Sequence, residues 1–283
     1  SMEDILFNLN KIRIEISFKT FDELRRILSF YQSNNLNKIN IPCKNNLKKD
    51  FLLESIKISK DEFPAIDIIP HFSILHEFKR NSANTQASLI NFLHTIKYLG
   101  CKHVLLVSGS QKRSTLDSIK ALSVIKDNTL FLNQDFSIGV AFNPYLQGCM
   151  FDEEILRLKN KLKSGLVSSI WIQFGTDYNL LKSRIEVISN IISSTLKKSS
   201  KSSEIMLFGS ILIPSRQFLA RFKYRPWKGV YCSSDFLASV DFADNIVTKL
   251  LETYKYYNIC PVIETNISTD DQLKKLKKTL YQK

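Results

Sequence analysis

The most constraining feature of this sequence is that short apolar segments alternate with longer amphipathic segments eight times along the chain. The short segments have the length and the apolar or alternating pattern of β-strands, and the longer ones carry apolar residues at helical spacing. The predicted strands cover residues 11–18, 38–42, 65–70, 103–107, 136–142, 169–174, 204–208 and 260–263. Such an alternation favours a parallel sheet whose strands are joined by helices.

Eight such units in 283 residues predict an α/β fold, a single (β/α)8 barrel of the TIM type that occupies residues 3–283. Barrels of this type typically have about 250 residues, so little of the chain is left for a second domain. The competing topology is an open doubly wound sheet, which binds dinucleotides through a glycine-rich loop. The sequence contains only 8 glycines and neither a GxGxxG nor a P-loop motif, which favours the closed barrel.

The composition narrows the classes of partner. The chain has 40 Lys and Arg against 27 Asp and Glu, a net charge of +13 that could attract nucleic acid or another polyanion. The lysines are scattered and no recognition motif accompanies them, so the sequence argues against nucleic-acid binding. No apolar run approaches the roughly 18 residues of a membrane span, so we expect no membrane-spanning segment.

The cysteines and histidines indicate neither a disulfide framework nor a metal centre. The 5 cysteines form no CxxC pair, and the 4 histidines form no HExxH pattern. We therefore expect no dedicated metal site, and reduced thiols in an intracellular protein. The expected compartment is the cytoplasm, with the mitochondrion as the alternative.

Alternation within two predicted strands indicates which residues face the barrel lumen. In the first strand the isoleucines share one face, and Arg13, Glu15 and Ser17 share the other, so we expect Glu15 in the lumen. A partly desolvated carboxylate suits general-acid catalysis. The alternative is a buried Arg13–Glu15 pair without a catalytic role. In the sixth strand Gln173 shares the lumen face with Trp171, where its amide could pair with a heterocycle or be a satisfied core amide.

Several short motifs, taken in their order along the chain, resemble those of the methylenetetrahydrofolate reductases. They are IIPHFS at 68–73, LGCKHVLLVSGS at 99–110, VAFNP at 140–144, KNKLKSG at 159–165, IQF at 172–174 and GSILIPS at 209–215. The resemblance implies a (β/α)8 barrel that holds FAD. It also implies hydride transfer from NADH or NADPH through FAD to 5,10-methylenetetrahydrofolate or a related small, folate-like substrate.

The resemblance also implies roles for individual residues. Glu15 matches the glutamate that protonates a folate nitrogen, Gln173 matches the glutamine that pairs with the pterin, and Phe218 corresponds to an aromatic residue that stacks on the substrate or the nicotinamide. The residues implied to contact FAD are His71, Ser108, Gly109, Ser110, Ala141, Arg157, Asn160 and Lys161. Without the resemblance, the sequence favours His71 as a residue that caps the third strand over one that contacts a ligand.

One departure from the family leaves a second hypothesis open. The family has Arg-Gly-Asp where this chain has 108–110 Ser-Gly-Ser, and serine lacks the charge that would stabilise a cationic intermediate. The first hypothesis is a divergent flavin-dependent oxidoreductase, and the second is a non-catalytic barrel retained for ligand binding or assembly. Some aromatic residues fit either a homo-oligomer interface or ordinary packing: Trp227, Tyr231, Tyr254, Tyr256 and Tyr257.

Overall fold

The computed structural model describes residues 5–43, 49–74, 82–108, 117–128, 135–196 and 204–281. Eight parallel strands form a closed barrel in which each strand pairs with the next and the last pairs with the first. The strands are β1 (Arg13–Glu15), β2 (Lys38–Ile41), β3 (Asp67–Ser73), β4 (His103–Val107), β5 (Ser137–Phe142), β6 (Val167–Ile172), β7 (Met206–Ile211) and β8 (Ile259–Ile263). The predicted (β/α)8 barrel of the TIM type is confirmed.

Helices follow the strands and pack around the barrel. They are α1 (Phe21–Ser33), α2 (Lys49–Glu62), α3 (Ser82–Tyr98), α4 (Ser118–Asp127), α5 (Gly148–Lys163), α6 (Tyr178–Leu196), α7 (Arg216–Tyr224), α8 (Ser234–Ala238), α9 (Val240–Tyr256) and α10 (Asp270–Leu280). In the described part of the chain, no helix is both long enough and apolar enough to cross a membrane.

Local side chains fix where many of these helices begin. A residue with an extended backbone accepts a hydrogen bond from the backbone N–H three residues later, which satisfies one of the unpaired donors of the first turn. The residues that do so are Thr20, Asp117, Ser215, Ser233, Ser239 and Thr269. In α10 the side chain of Gln272 also bonds back to the Thr269 backbone, which completes a capping box.

One predicted helical stretch is confirmed with a break inside it, and one predicted strand is shorter than expected. The sequence predicts a mainly helical stretch over 233–256, and α8 and α9 fill it; they are separate because Ser239 has an extended backbone and caps a new helix. The first strand, predicted over 11–18, forms ladder pairs only over Arg13–Glu15. Its ladder pairs run to Asn40, one residue before the end of β2, and to Ile263, the last residue of β8.

Strand alternation separates an outer apolar layer from a smaller cluster inside the barrel. Ile12, Ile14 and Ile16 belong to the large core between strands and helices, as the alternation predicts. Five side chains from alternate strand positions form a separate buried cluster: Ile69, Leu105, Trp171, Phe208 and Val262. The lumen is therefore filled by side chains, as in other barrels of this type, and ligand space is left at its mouth.

The indole of Trp171 dominates the lumen cluster. Its ring stacks on Phe208 with centroids 4.0 Å apart, and its Nε1–H donates to the Ser169 hydroxyl at 2.9 Å. On the neighbouring strand Gly139 leaves room for this ring, because a Cβ there would lie close to both Trp171 and Ser169. The packing of the lumen thus depends on the large side chain of Trp171 and on the absence of a side chain at Gly139.

Candidate active site

A cavity of about 1090 Å³ opens at the carboxyl ends of β1, β7 and β8. The active sites of (β/α)8 enzymes lie at this end of the barrel, and the volume suits a small organic ligand. The lining side chains come from the three strand ends, from α7 and the segment after it, and from the first turns of α10. They are Glu15, Ser17, Ile213, Pro214, Ser215, Gln217, Phe218, Arg221, Phe222, Tyr224, Arg225, Trp227, Glu264, Thr265, Asn266, Ile267, Asp271, Gln272 and Lys275.

Glu15 is the lining residue that also reaches into the lumen. It is the last residue of β1, and its side chain is 18% exposed. Its Oε1 lies 3.8 Å from Nδ1 of His71, which is within ion-pair distance but longer than a hydrogen bond. The structure therefore brings together two residues that the sequence singled out on different strands.

Arg13 takes its charge partner from β3 and not from Glu15. Its Nη1 lies 2.6 Å from Oδ2 of Asp67, its Nη2 donates to the Ile39 carbonyl at 2.7 Å, and its Nε donates to Oδ1 of Asn40 at 2.7 Å. Burial lowers the pKa of Arg13, and Asp67 opposes that shift. The buried Arg13–Glu15 pair considered from the sequence is thus replaced by Arg13–Asp67.

His71 lies between the Arg13 network and Glu15. Its Nε2 is 2.9 Å from Nδ2 of Asn40, and its ring meets the edge of Trp171 with centroids 6.2 Å apart. Both His71 and Asn40 are buried. Side chains from β1, β2 and β3 therefore form a continuous polar path from Asp67 to the floor of the cavity.

A second carboxylate stands beside Glu15 at the mouth. Glu264 directly follows β8, and the register pairs Ile14 with Ile263, so Glu15 and Glu264 leave neighbouring strands at the same level. Both line the cavity. The sequence interpretation missed Glu264, although an acidic residue immediately after the eighth predicted strand was a usable signal.

Helix α7 and the segment after it form one wall of the cavity, which we call the α7 wall: Phe218, Arg221, Phe222, Arg225 and Trp227. Phe218 and Phe222 are buried, and Trp227 meets Phe218 edge to face with centroids 5.7 Å apart. Arg221 and Arg225 are exposed, and no described carboxylate lies within ion-pair distance of either one. The wall offers apolar ring surface and guanidinium donors to the same space.

His103 belongs to the lumen and not to the cavity. Its Nε2 lies 2.7 Å from the Ser169 hydroxyl, which also accepts from Trp171. Burial, and to a smaller degree the charge of Arg13, lowers the pKa of His103 to about 4. This histidine is therefore neutral near pH 7. Across the described residues, His, Cys, Asp and Glu form no group of three that could hold a metal ion.

The residues implied to bind FAD by the resemblance are mostly held by protein partners. Lys161 is buried, its Nζ lies 3.4 Å from the Ala141 carbonyl, and burial lowers its pKa. Arg157 is ion-paired to Glu154 at 3.1 Å, and the Ser108 hydroxyl accepts from the backbone N–H that begins α4. The structure thus gives Lys161, Arg157 and Ser108 protein partners, and their contact with FAD stays a prediction.

The other predicted residues are scattered. Asn160 is half-buried on α5, and Gln173 is half-buried just after β6 and does not line the cavity. Gly109 and Ser110 lie outside the described residues. Phe218 lines the cavity with Glu15. FAD and the nicotinamide donor remain predictions that rest on the resemblance alone.

No protein-family model matches the sequence, and no curated protein matches it. The fold is similar to that of 2,3-dimethylmalate lyase, a PEP mutase/isocitrate lyase superfamily member (TM-score 0.55, 8% identity, covering 98% of this chain and 81% of that one). It is also similar to an aldo-keto reductase from Klebsiella pneumoniae in complex with NADPH (TM-score 0.53, 8% identity, covering 95% of this chain and 85% of that one). A third similar structure is a candidate lyase/mutase from Burkholderia cenocepacia J2315 (TM-score 0.50, 9% identity, covering 89% of this chain and 75% of that one). At these identities the likenesses show a shared barrel fold.

The prediction of a flavin-dependent oxidoreductase of the methylenetetrahydrofolate reductase type is wrong. The barrel resembles those of a dimethylmalate lyase and a lyase/mutase, and no family model supports the reductase family. The alternative, a non-catalytic barrel retained for ligand binding or assembly, stays a prediction. What remains of the resemblance is the TIM-barrel fold. The motifs misled because most of them lie in strands or at helix ends, which any barrel of this topology requires.

Proposed function

We propose that this barrel is an acid–base enzyme of the lyase or isomerase type that acts on a small organic carboxylate bound at its mouth. The observation that carries the proposal is the position of Glu15, which lines the cavity and also lies 3.8 Å from His71. General acid–base groups are often further apart before substrate binds than in the working complex. The Glu15 carboxylate can therefore contact both a ligand in the cavity and the imidazole of His71.

The proposed step is a proton transfer at a substrate atom. Glu15 acts as the base and takes a proton from a carbon next to a carbonyl or from a hydroxyl, and the electron pair stays on the substrate. In an isomerase the proton returns to a different atom. In a lyase the electron pair breaks the adjacent bond, and the released fragment takes up the proton. Negative charge that develops on substrate oxygens would be stabilised by the guanidinium groups of the α7 wall.

The charges of the cavity support one class of substrate. Arg221 and Arg225 can take up a carboxylate by paired N–H donors, whereas Lys275 is bound to Asp244 at 2.7 Å. Glu15, Glu264 and Asp271 line the same space and would repel a highly charged polyphosphate. The balance favours a ligand with one or two carboxylates and an apolar part against the aromatic rings of the α7 wall.

The comparison with solved structures supports the proposal to a limited extent. The protein named 2,3-dimethylmalate lyase shares the barrel architecture, so the architecture hosts lyase chemistry. Fold does not fix function, however, and the residues of this chain's own cavity carry the proposal.

The proposal is tested with the wild-type protein and a panel of small 2-hydroxy, 2-oxo and dicarboxylic acids in D₂O. We expect at least one acid to raise the Tm and to lose a carbon-bound proton signal, or to yield a cleaved product, by ¹H NMR. The uncharged amide of the same acid should do neither. If no acid in the panel raises the Tm or reacts, or if the amides act equally well, the proposal is overturned.

A further inference from the structure

We infer that Asn40 is a positioning residue that holds neutral His71 with its proton on Nδ1, so that this N–H faces Glu15. The consequence for catalysis rests on the proposed function of Glu15. The tautomer itself follows from the hydrogen-bond geometry of buried residues, and it can be measured without a substrate.

The guanidinium of Arg13 determines which way the Asn40 amide points. Arginine has only hydrogen-bond donors, so the Asn40 atom that lies 2.7 Å from Nε must be the carbonyl oxygen. Arg13 cannot rotate away, because Asp67 and the Ile39 carbonyl hold its two other nitrogens at 2.6 and 2.7 Å. The orientation of the Asn40 amide is therefore fixed by the N–H donor of Arg13.

The amide orientation in turn determines the tautomer of His71. With its oxygen on Arg13, Asn40 presents its NH₂ group to His71, and the Nδ2–Nε2 distance is 2.9 Å. An NH₂ group donates only, so Nε2 must accept and cannot carry the proton. In the neutral ring the proton is then on Nδ1. Asn40 and His71 are 0% and 7% exposed, so water cannot easily replace this bond.

The other end of the ring faces the cavity floor. Nδ1 lies 3.8 Å from Oε1 of Glu15, and a small approach would make an N–H to carboxylate hydrogen bond. In the opposite tautomer, Nδ1 would present a lone pair to the Glu15 carboxylate. The Nε2–H group would then face the NH₂ donors of Asn40. The carboxylate that we propose as the base is thus oriented through His71 by three residues, Asp67, Arg13 and Asn40. None of these three lines the cavity.

The test is the ¹⁵N NMR spectrum of the imidazole rings, recorded on the full chain at a pH at which His71 is neutral. The His71→Gln variant identifies the His71 signals among those of the four histidines. For the wild type we expect a protonated, pyrrole-type Nδ1 and an unprotonated, pyridine-type Nε2. The reverse pattern in the wild type would overturn the inference.

A second measurement isolates Asn40. In Asn40→Asp the side chain can still accept from Arg13, but it presents an acceptor to His71, so Nε2 should become protonated. His103, whose partner is Ser169, serves as the internal control and should keep its own ¹⁵N pattern. An unchanged His71 tautomer in folded Asn40→Asp would also contradict the inference. The NMR result and the substrate screen are independent, so failure of one does not imply failure of the other.

Discussion

His103 shows what burial does to a single residue of this barrel. The ring is 8% exposed, and its pKa lies near 4 in place of the ordinary 6.5, chiefly because burial disfavours the imidazolium. In the unfolded chain the same ring takes up a proton below about pH 6.5. Between these values the unfolded state binds more protons, so stability must fall as the pH falls.

We predict that His103 alone lowers the free energy of unfolding by about 1.4 kcal/mol for each pH unit as the pH falls from about 6.5 to about 4. The contribution is present above pH 6.5 and is fully lost near pH 4. Urea denaturation of wild type and His103→Gln at several pH values measures it, because other titrating groups are common to both proteins. Parallel pH profiles for the two proteins would contradict the prediction.

Gly139 is the residue on which the packing of Trp171 depends. A Cβ at this position would clash with Nε1 of Trp171 and lie 2.5 Å from the Ser169 hydroxyl, too close to be accommodated without movement. We predict that Gly139→Ala lowers the free energy of unfolding by about 1–3 kcal/mol. It should also change the fluorescence of Trp171, because the indole must leave its hydrogen bond.

The matched control for that variant is Gly165→Ala. Gly165 ends α5 with φ of 74° and has open space around its missing side chain, so alanine there costs backbone strain only. We expect a loss of about 1–2 kcal/mol with an unchanged tryptophan spectrum. Equal spectra for Gly139→Ala and the wild type would show that the lumen is not packed as described.

At the scale of elements, α7 carries most of the recognition surface of the cavity. Arg221 on α7 and Arg225 directly after the helix both line the cavity, so both guanidinium groups are available to a ligand there. The double variant Arg221→Gln/Arg225→Gln should raise the Kd for a carboxylate ligand at least about tenfold, since a lost charge-assisted hydrogen bond costs about 1.5–3 kcal/mol.

Arg216→Gln is the control for this prediction, because Arg216 is an exposed residue of the same helix that does not line the cavity. A titration followed by calorimetry gives Kd for each protein. If Arg216→Gln weakens binding as much as the double variant does, the effect is one of overall charge, and the α7 wall is not the recognition surface.

The strands also show which features of the site could be predicted from the sequence. Alternation correctly gave the faces of β1, because the apolar isoleucines had to meet the helices. It could not show that Arg13 pairs with Asp67, since these residues are 54 positions apart and only the barrel register brings them together. Asn40 was missed for the same reason. A polar residue inside a short strand acquires its role from neighbours on β1 and β3.

At the scale of the whole molecule, the barrel was predictable and the chemistry was not. Eight strand–helix units leave few topologies open, and the closed barrel follows from their number and order. The resemblance to a reductase family rested mainly on segments that form strands and helix ends in the structure. Those segments carry fold information, whereas most of the cavity lining lies in α7, in α10 and in the segments after α7 and β8, which the motifs did not cover.

The central claim is that Glu15 moves a proton on a carboxylate bound at the barrel mouth. The most direct test is the rate of solvent deuterium incorporation, or of cleavage, for the acid identified in the screen, measured with wild type, Glu15→Gln and Glu54→Gln. Glu54 is an exposed glutamate on α2, away from the cavity. We expect Glu15→Gln to lose a factor of about 10²–10⁴ while still binding the acid, and Glu54→Gln to match the wild type. A wild-type rate in folded Glu15→Gln would contradict the claim.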